Sequence, residues 1–117
     1  METCACCGYK TIDEKGCYEI CPICYWEDDS VQEADPWFKG GANKPSLYEA
    51  QENYEKYGAM EERFISNVRV PGKPDEKDKT WRPLNETDKK YCTTPANIEK
   101  VWGSAAAISY NYWERNA

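Results

Sequence analysis

The sequence has no histidine among its 117 residues. Imidazole nitrogen is therefore excluded as a metal ligand, and histidine is excluded as a catalytic acid or base. No apolar stretch approaches the roughly 20 residues that a membrane-spanning helix needs, and residues 1–4 include no apolar signal run. These absences predict a protein without a membrane segment, and they favour the reducing cytoplasm over secretion.

Aliphatic side chains are also scarce, and five tryptophans and nine tyrosines supply much of the apolar surface. The length is that of one domain, so residues 1–117 are predicted to fold as a single domain. Its core should be thin in the first half of the chain, where a bound metal would replace buried apolar area.

Basic residues are fewer than acidic ones, 15 against 21, which gives a net charge of −6. An acidic surface repels the phosphate backbone of nucleic acids and suits a basic protein partner. The simpler interpretation, that the acidity only maintains solubility, stays open at this stage.

The seven cysteines include two C-x-x-C pairs, Cys4 with Cys7 and Cys21 with Cys24, and 13 residues lie between the pairs. A turn that closes such a pair points both sulfurs at one spot. Two facing turns therefore form a tetrahedral pocket that suits zinc, with Zn–S distances of about 2.3 Å. Four thiolates leave no position for water, which predicts a structural ion. Redox dithiols are the alternative, but these normally lie at a helix start in a thioredoxin-like setting.

Three cysteines remain outside these pairs, and their odd total argues against a secreted disulfide framework. Cys6 could be a spare ligand or could hold a second metal with Cys17. We expect instead a free thiol that points into the turn or to the surface. Cys17 alternates with Tyr18 on a predicted strand and should pack beneath the hairpin. Cys92 precedes the last predicted helix, and we expect it to be free.

The predicted fold class is α+β. Residues 9–12 and 17–20 are predicted to form two short strands joined by a turn at residues 13–16, in which Gly16 takes the left-handed position. The two cysteine turns then lie at the open end of one β-hairpin, as in a zinc ribbon or a rubredoxin-like pair of knuckles. We expect helices to pack against this hairpin.

Three helices are predicted. Ser46 and Glu49 fit a capping box that begins the first helix, which runs from Leu47 to about Tyr57 and ends at the following glycine. The second covers about residues 59–67. The third is long, covers about residues 95–115 and closes the core. The side chains expected to point inward from the second helix are Met60, Phe64 and Ile65.

Proline and glycine predict one loop and one connection. The loop covers residues 31–45, and the connection covers residues 71–90. The side chains expected to anchor these two segments to the core are Trp37, Phe38, Trp81 and Leu84.

Glu27, Asp28 and Asp29 form the sharpest acidic cluster, and three interpretations stay open. The carboxylates could hold a hard cation or act in catalysis, which would need a cleft that raises one carboxyl pKa. They could contact arginine and lysine of a partner. They could instead form a solvated turn in which aspartates cap backbone amides. Trp113, on the last predicted helix, is either a core residue or an exposed anchor for a partner.

The cysteine pattern and its surroundings resemble the bacterial "cysteine-rich CPCC" domain over roughly residues 3–84. The most specific part is the string from Ile20 to Asp29, and Ala5 stands where the family name implies proline. Residues 85–117 fall outside the pattern and form a C-terminal extension. The resemblance rests on Cys4, Cys6-Cys7-Gly8-Tyr9, Ile20-Cys21-Pro22-Ile23-Cys24-Tyr25-Trp26-Glu27-Asp28-Asp29, Gly40-Gly41-Ala42-Asn43, Ser46-Leu47, Ala50, Asn53-Tyr54 and Gly58-Ala59, and more weakly on Glu62-Arg63-Phe64, Val68-Arg69 and Trp81-Arg82-Pro83-Leu84.

The resemblance implies a zinc-binding protein and brings no established reaction. Such small proteins can occur beside bacterial toxin systems, where a small acidic partner serves as an immunity protein. It therefore implies a protein partner for this chain, of which a toxin is one kind.

These observations predict a non-enzymatic, zinc-stabilised protein-interaction module whose partner is a basic protein. An immunity or inhibitor protein that neutralises a toxin is one form of this function. One alternative is a zinc ribbon that binds nucleic acid, which the charge and the lack of a Lys/Arg cluster beside the knuckles disfavour. The other is an enzyme that uses the thiol of Cys6 or the carboxylates of Glu27, Asp28 and Asp29.

Overall fold

The computed structural model of the protein describes residues 1–91 and 111–114. Its sheet is a two-stranded antiparallel hairpin in which β1 (Glu2–Thr3) pairs with β2 (Lys10–Ile12). The first C-x-x-C turn connects these two strands. The first cysteine pair therefore lies at the closed end of the hairpin.

The predicted pairing of residues 9–12 with residues 17–20 is wrong. Residues 17–20 form no strand, and Ile20 makes a single bridge with Glu27. The backbone of Tyr18 is left-handed, with φ of 60°, so an extended strand cannot pass through this residue. The turn at residues 13–16 is directed inward, towards buried carboxylates, and β1 takes the place of the expected second strand.

A short helix, α1 (Ser30–Ala34), begins the segment predicted to be a loop. Asp29 caps it, because its carboxylate accepts hydrogen bonds from the backbone N–H groups of Val31 and Gln32. The rest of the segment is a loop that the buried Gln32 amide holds together. This amide donates to the carbonyls of Phe38, Asn43 and Pro45 at 3.0–3.1 Å.

The second helix, α2 (Leu47–Tyr57), has the predicted bounds and caps. The Ser46 hydroxyl accepts from the Glu49 N–H, and the Glu49 carboxylate accepts from the Ser46 N–H. Gly58 follows the helix with φ of 77°, a left-handed value that favours glycine. Local chemistry therefore determines where this helix begins and ends.

The second predicted helix is a 3₁₀ helix, Glu62–Asn67. Met60 is buried and Phe64 packs against the core, as predicted. The inward position predicted for Ile65 is wrong, since its side chain is 48% exposed. A 3₁₀ helix has three residues per turn, so the residues that share a face with Phe64 lie three positions away from it. The side chain of Ile65, the next residue, therefore points in a different direction.

The connection between this helix and the next 3₁₀ helix, Glu86–Tyr91, crosses the first cysteine turn. Leu84 is buried, and Trp81 is half-buried beside Gly8. The helix predicted at residues 95–115 lies mostly outside the described residues. Its described part contains one 3₁₀ turn, Tyr112–Glu114, and the hydroxyl of the buried Tyr112 donates to the carbonyl of Arg82.

The core is centred on cysteine, with few aliphatic side chains around it. Five buried cysteines pack with Ile12, Ile23, Trp26, Leu47 and Leu84. Half-buried aromatic rings, such as Trp37 stacked on Tyr48 at 4.8 Å, surround this cluster. Within residues 1–91 and 111–114, no helix has the length and apolar character needed to cross a membrane.

A buried ion cluster lies beside this core. The Lys15 ammonium donates to Asp28 and Glu33, both at 2.7 Å, and to the Thr3 carbonyl at 3.0 Å. The two carboxylates are fully buried, and the Lys15 side chain is 8% exposed. Although burial lowers the pKa of Lys15, Glu33 and Asp28 raise it above its ordinary value. Burial raises the pKa of Glu33, and the Lys15 ammonium opposes that rise.

We predict that Lys15→Met lowers the free energy of unfolding by about 3–5 kcal/mol, because it leaves buried carboxylates without their counter-ion. Lys10→Met is the matched control, since the Lys10–Glu76 pair is solvent-exposed. The control should leave the midpoint of urea unfolding nearly unchanged. Equal midpoints for the two variants would contradict a structural role for the cluster.

Candidate metal centre

The two C-x-x-C turns have the same backbone hydrogen bonds. In the first, the Gly8 N–H donates to the Cys4 carbonyl at 2.9 Å. In the second, the Tyr25 N–H donates to the Cys21 carbonyl at 2.8 Å. Each turn is then closed by its first cysteine, whose N–H donates to the carbonyl five residues later, at 2.8 and 2.9 Å. The repeated C-x-x-C spacing thus produces two equivalent knuckles.

Both knuckles end in a left-handed residue. Gly8 has φ of 82°, and Tyr25 has φ of 73° at the equivalent position. This conformation costs a residue with a side chain about 1–2 kcal/mol. The Tyr25 ring packs 4.6 Å from the ring of Phe64, a contact that offsets part of the cost.

The four sulfurs of Cys4, Cys7, Cys21 and Cys24 converge as predicted, and all lie within 4.8 Å of one another. Two of the separations are 3.6 Å, between Cys4 and Cys24, and 3.7 Å, between Cys7 and Cys21. Metal–sulfur bonds of about 2.3 Å in a tetrahedron give sulfur–sulfur edges of about 3.8 Å. The four side chains could therefore hold one metal ion without rearrangement of the backbone.

The site is closed to solvent, since each of the four cysteines is at most 1% exposed. Donors from the protein point at the sulfurs. The Thr11 hydroxyl lies 3.1 Å from Sγ of Cys21, and the backbone N–H groups of Ile23 and Trp26 lie 3.4 and 3.5 Å from Sγ of Cys21 and Cys24. Such donors stabilise the thiolate form that binds a metal.

Burial and the neighbouring sulfurs raise the pKa of three of the four thiols and lower the pKa of the fourth. Burial raises the pKa of Cys4 and Cys24, and the hydrogen bond to Cys21 raises the pKa of Cys7. The pKa of Cys21 is lowered, because the other three thiols and Thr11 donate to it. Without a cation, the cluster therefore favours one thiolate. A divalent ion would supply the charge needed to ionise the others.

Two contacts from distant parts of the chain fix the first knuckle. The Ala5 carbonyl accepts from the Gln51 amide of α2 at 2.9 Å and from the Trp81 indole N–H at 3.0 Å. The Trp81 ring lies so close to Gly8 that a Cβ there would be 2.6 Å from it. The second knuckle is anchored by the Met60 N–H, which donates to the Cys24 carbonyl at 2.7 Å.

The three remaining cysteines have different outcomes. Cys6 is buried and not disulfide-bonded, so the free thiol is confirmed but a surface position is not. The packed position predicted for Cys17 is wrong, because this thiol is exposed on the irregular segment that replaces the expected strand. The four-sulfur cluster includes neither of them. Cys92 lies outside the described residues.

The acidic cluster is largely internal. Asp28 binds Lys15 and accepts from the Gly16 N–H at 2.5 Å. Asp29 caps α1 and accepts from the Ala42 N–H at 2.8 Å. The capping interpretation is confirmed for Asp29, while solvation is wrong for both aspartates. The Glu27 side chain is half-buried, and contact of this cluster with a partner stays a prediction.

Trp113 is half-buried, with its ring edge-on to Tyr112 at 5.1 Å and the Lys15 ammonium 5.9 Å from its centre. It packs against the core from the outside. Sequence reasoning did not find the Lys15 cluster that Trp113 adjoins. Lys15 looked like an ordinary turn residue, and its partners lie 13 and 18 positions away. A role for Trp113 in partner binding stays a prediction.

The family model described as cysteine-rich CPCC matches residues 2–76, which include both knuckles, α1 and α2. The chain belongs to the cysteine-rich CPCC family. The match confirms the resemblance over residues 3–76 but not over residues 77–84, so the tryptophan that packs on the first CPCC knuckle, Trp81, lies beyond the matched residues. A search of curated proteins found no match.

Gly8 tests the packing of this CPCC knuckle. We predict that Gly8→Ala destabilises the protein by about 1–3 kcal/mol more than Gly40→Ala. Both glycines have φ near 80°, but a Cβ at Gly40 meets nothing within 4 Å, whereas a Cβ at Gly8 overlaps the Trp81 ring. Chemical unfolding of both variants measures the difference. Equal destabilisation would mean that the Trp81 contact is absent in solution.

Proposed function

We propose that the protein binds one zinc ion through Cys4, Cys7, Cys21 and Cys24, and that the ion is structural. The observation that carries this proposal is the complete and buried sulfur shell. A tetrahedral set of four thiolates suits zinc, and iron is another metal that such a donor set accepts. With all four positions filled by sulfur, no water or substrate can reach the ion.

Metal removal tests this proposal. We expect about one zinc per chain by elemental analysis. Cys21→Ser should lose the metal and much of the thermal stability, because metal binding supplies on the order of 10 kcal/mol of apparent folding free energy. Cys17→Ser is the matched control, since this thiol is exposed and outside the cluster. Iron in place of zinc would contradict the metal assignment, and an unchanged melting temperature with a strong chelator would contradict the structural role.

We further propose that the protein acts without catalysis, as an interaction module for a basic protein. The acid excess is confined to one segment. From Asp13 to Asp35 the chain has eight acidic residues and one lysine, whereas the rest has 13 acidic and 14 basic residues. The lysine in this segment is buried with Asp28 and Glu33, whereas Asp13 and Glu14 are exposed. The resulting field attracts cationic surfaces and accelerates their association.

Catalysis finds little support in the same residues. The sulfurs are enclosed, and the Asp28 and Asp29 carboxylates are occupied by internal donors. Neutralisation of a basic toxin, as an immunity or inhibitor protein, is the specific form of this function that the family resemblance suggests. We place it in the cytoplasm, where thiols stay reduced.

Capture experiments test the interaction function. We expect the purified chain to retain a basic protein from its native cells at low salt, and to release it as ionic strength rises and screens the attraction. The metal-free Cys21→Ser chain is the control bait and should retain less. Retention of nucleic acid in place of protein would contradict the proposal, as would the absence of a stable partner.

A further inference from the structure

A cleft of about 510 Å³ lies between α2 and the connection that crosses the first knuckle. Tyr48, Glu52 and Glu55 line it from α2, and Lys77 and Trp81 line it from the connection. The floor is formed by residues of the metal centre and its support, namely Cys6, Cys7 and Gln51. The first knuckle therefore forms the base of this cleft.

The floor has few free polar groups. The Gln51 amide donates to the Ala5 carbonyl and to the Tyr112 hydroxyl, and its oxygen accepts from the Leu84 N–H at 2.8 Å. A ligand must therefore be recognised by the walls. Their charged groups are the carboxylates of α2 and the ammonium of Lys77.

The carboxylates of Glu52 and Glu55 are exposed neighbours on one face of α2. Among the described residues neither has an ion-pair or hydrogen-bond partner. Basic residues near them are engaged elsewhere, since Lys39 pairs with Glu49 and the Lys56 ammonium lies 5.2 Å from the Tyr57 ring. Two unpaired negative charges therefore border an aromatic cleft.

The opposite wall already accepts a cation on its aromatic surface. The Lys77 ammonium lies 5.3 Å from the Trp81 ring and 5.6 Å from the Tyr9 ring. Such contacts are attractive because the ring faces are electronegative. A second cation between the walls would meet both an aromatic face and the carboxylates of α2.

An apolar surface adjoins the cleft. Tyr54 and Glu55 border the cleft and also border a second depression with Ile65 and Val70. Val70 is 85% exposed and Ile65 is 48% exposed. A protein partner that reached the cleft would thus find apolar area beside it, as protein interfaces usually provide.

We propose that this cleft receives an arginine side chain of the basic partner, an inference that rests on the proposed interaction function. A guanidinium that displaces the Lys77 ammonium can stack on Trp81 while its N–H groups bind the Glu52 and Glu55 carboxylates. A lysine ammonium is a compact point charge without a planar face. It cannot stack on the ring and bind the two carboxylates as well as a guanidinium can. An anionic ligand would be repelled by the same carboxylates.

The test uses the full chain as purified and the peptide acetyl-tetraarginine amide. We expect the Trp81 indole N–H resonance to shift saturably in an NMR titration. The neutral isostere acetyl-tetracitrulline amide should bind about tenfold more weakly, because charge-assisted hydrogen bonds are lost. Glu52→Gln/Glu55→Gln should weaken arginine binding by a similar factor, whereas Glu2→Gln/Glu62→Gln, which removes two exposed carboxylates outside the cleft, should not.

Two results would overturn the arginine site: equal binding of the two peptides, or equal weakening by the two double variants. Thermal unfolding of each variant checks that folding is unchanged. The experiments can contradict the arginine site and the proposed interaction function independently of each other. A captured partner that binds the Glu52→Gln/Glu55→Gln chain normally refutes the site alone. A cleft-specific arginine shift without any cellular partner refutes the interaction function and leaves the site assigned.

Discussion

The convergence of four buried sulfurs at one point is the constraint on which this structure depends. The sheet contributes five residues, and α2, the longest described helix, has 11. Elements of this size bury too little apolar area to hold a fold alone. The two knuckles provide the missing connection, because each brings a separate stretch of chain to the same sulfur cluster. Strands, helices and aromatic rings are then arranged around the metal centre.

Networks of buried polar side chains are the second feature that holds the fold together. The Gln32 amide organises an entire loop, the Gln51 amide joins α2 to the first knuckle, and Lys15 is enclosed between two carboxylates. A core rich in leucine and valine would not need these networks. In a chain with few aliphatic residues, directional bonds determine the tertiary arrangement, and each unpaired member would be costly once buried.

Local chemistry made part of this structure predictable, and tertiary contacts decided the rest. The capping box of α2 and the C-x-x-C turns involve residues three positions apart, so the sequence was sufficient for both. The strand pairing of β2 was not predictable in this way, because it depends on the left-handed Tyr18 and on the turn that carries Lys15 towards Asp28. Exposure of Cys17 follows from the same rearrangement. Burial of the acidic run was missed because its lysine partner is distant in sequence.

The Ala5 carbonyl, held by both Gln51 and Trp81, joins the metal centre to the cleft above it. Trp81 covers the first knuckle and also lines the cleft. A movement of this side chain would therefore affect the knuckle and the cleft together. Thermodynamic reciprocity then applies: if metal binding organises the cleft, whatever fills the cleft must tighten the metal by the same factor. If the four cysteines hold an ion and a partner fills the cleft, the same coupling would make the affinity of the protein for its partner depend on the metal.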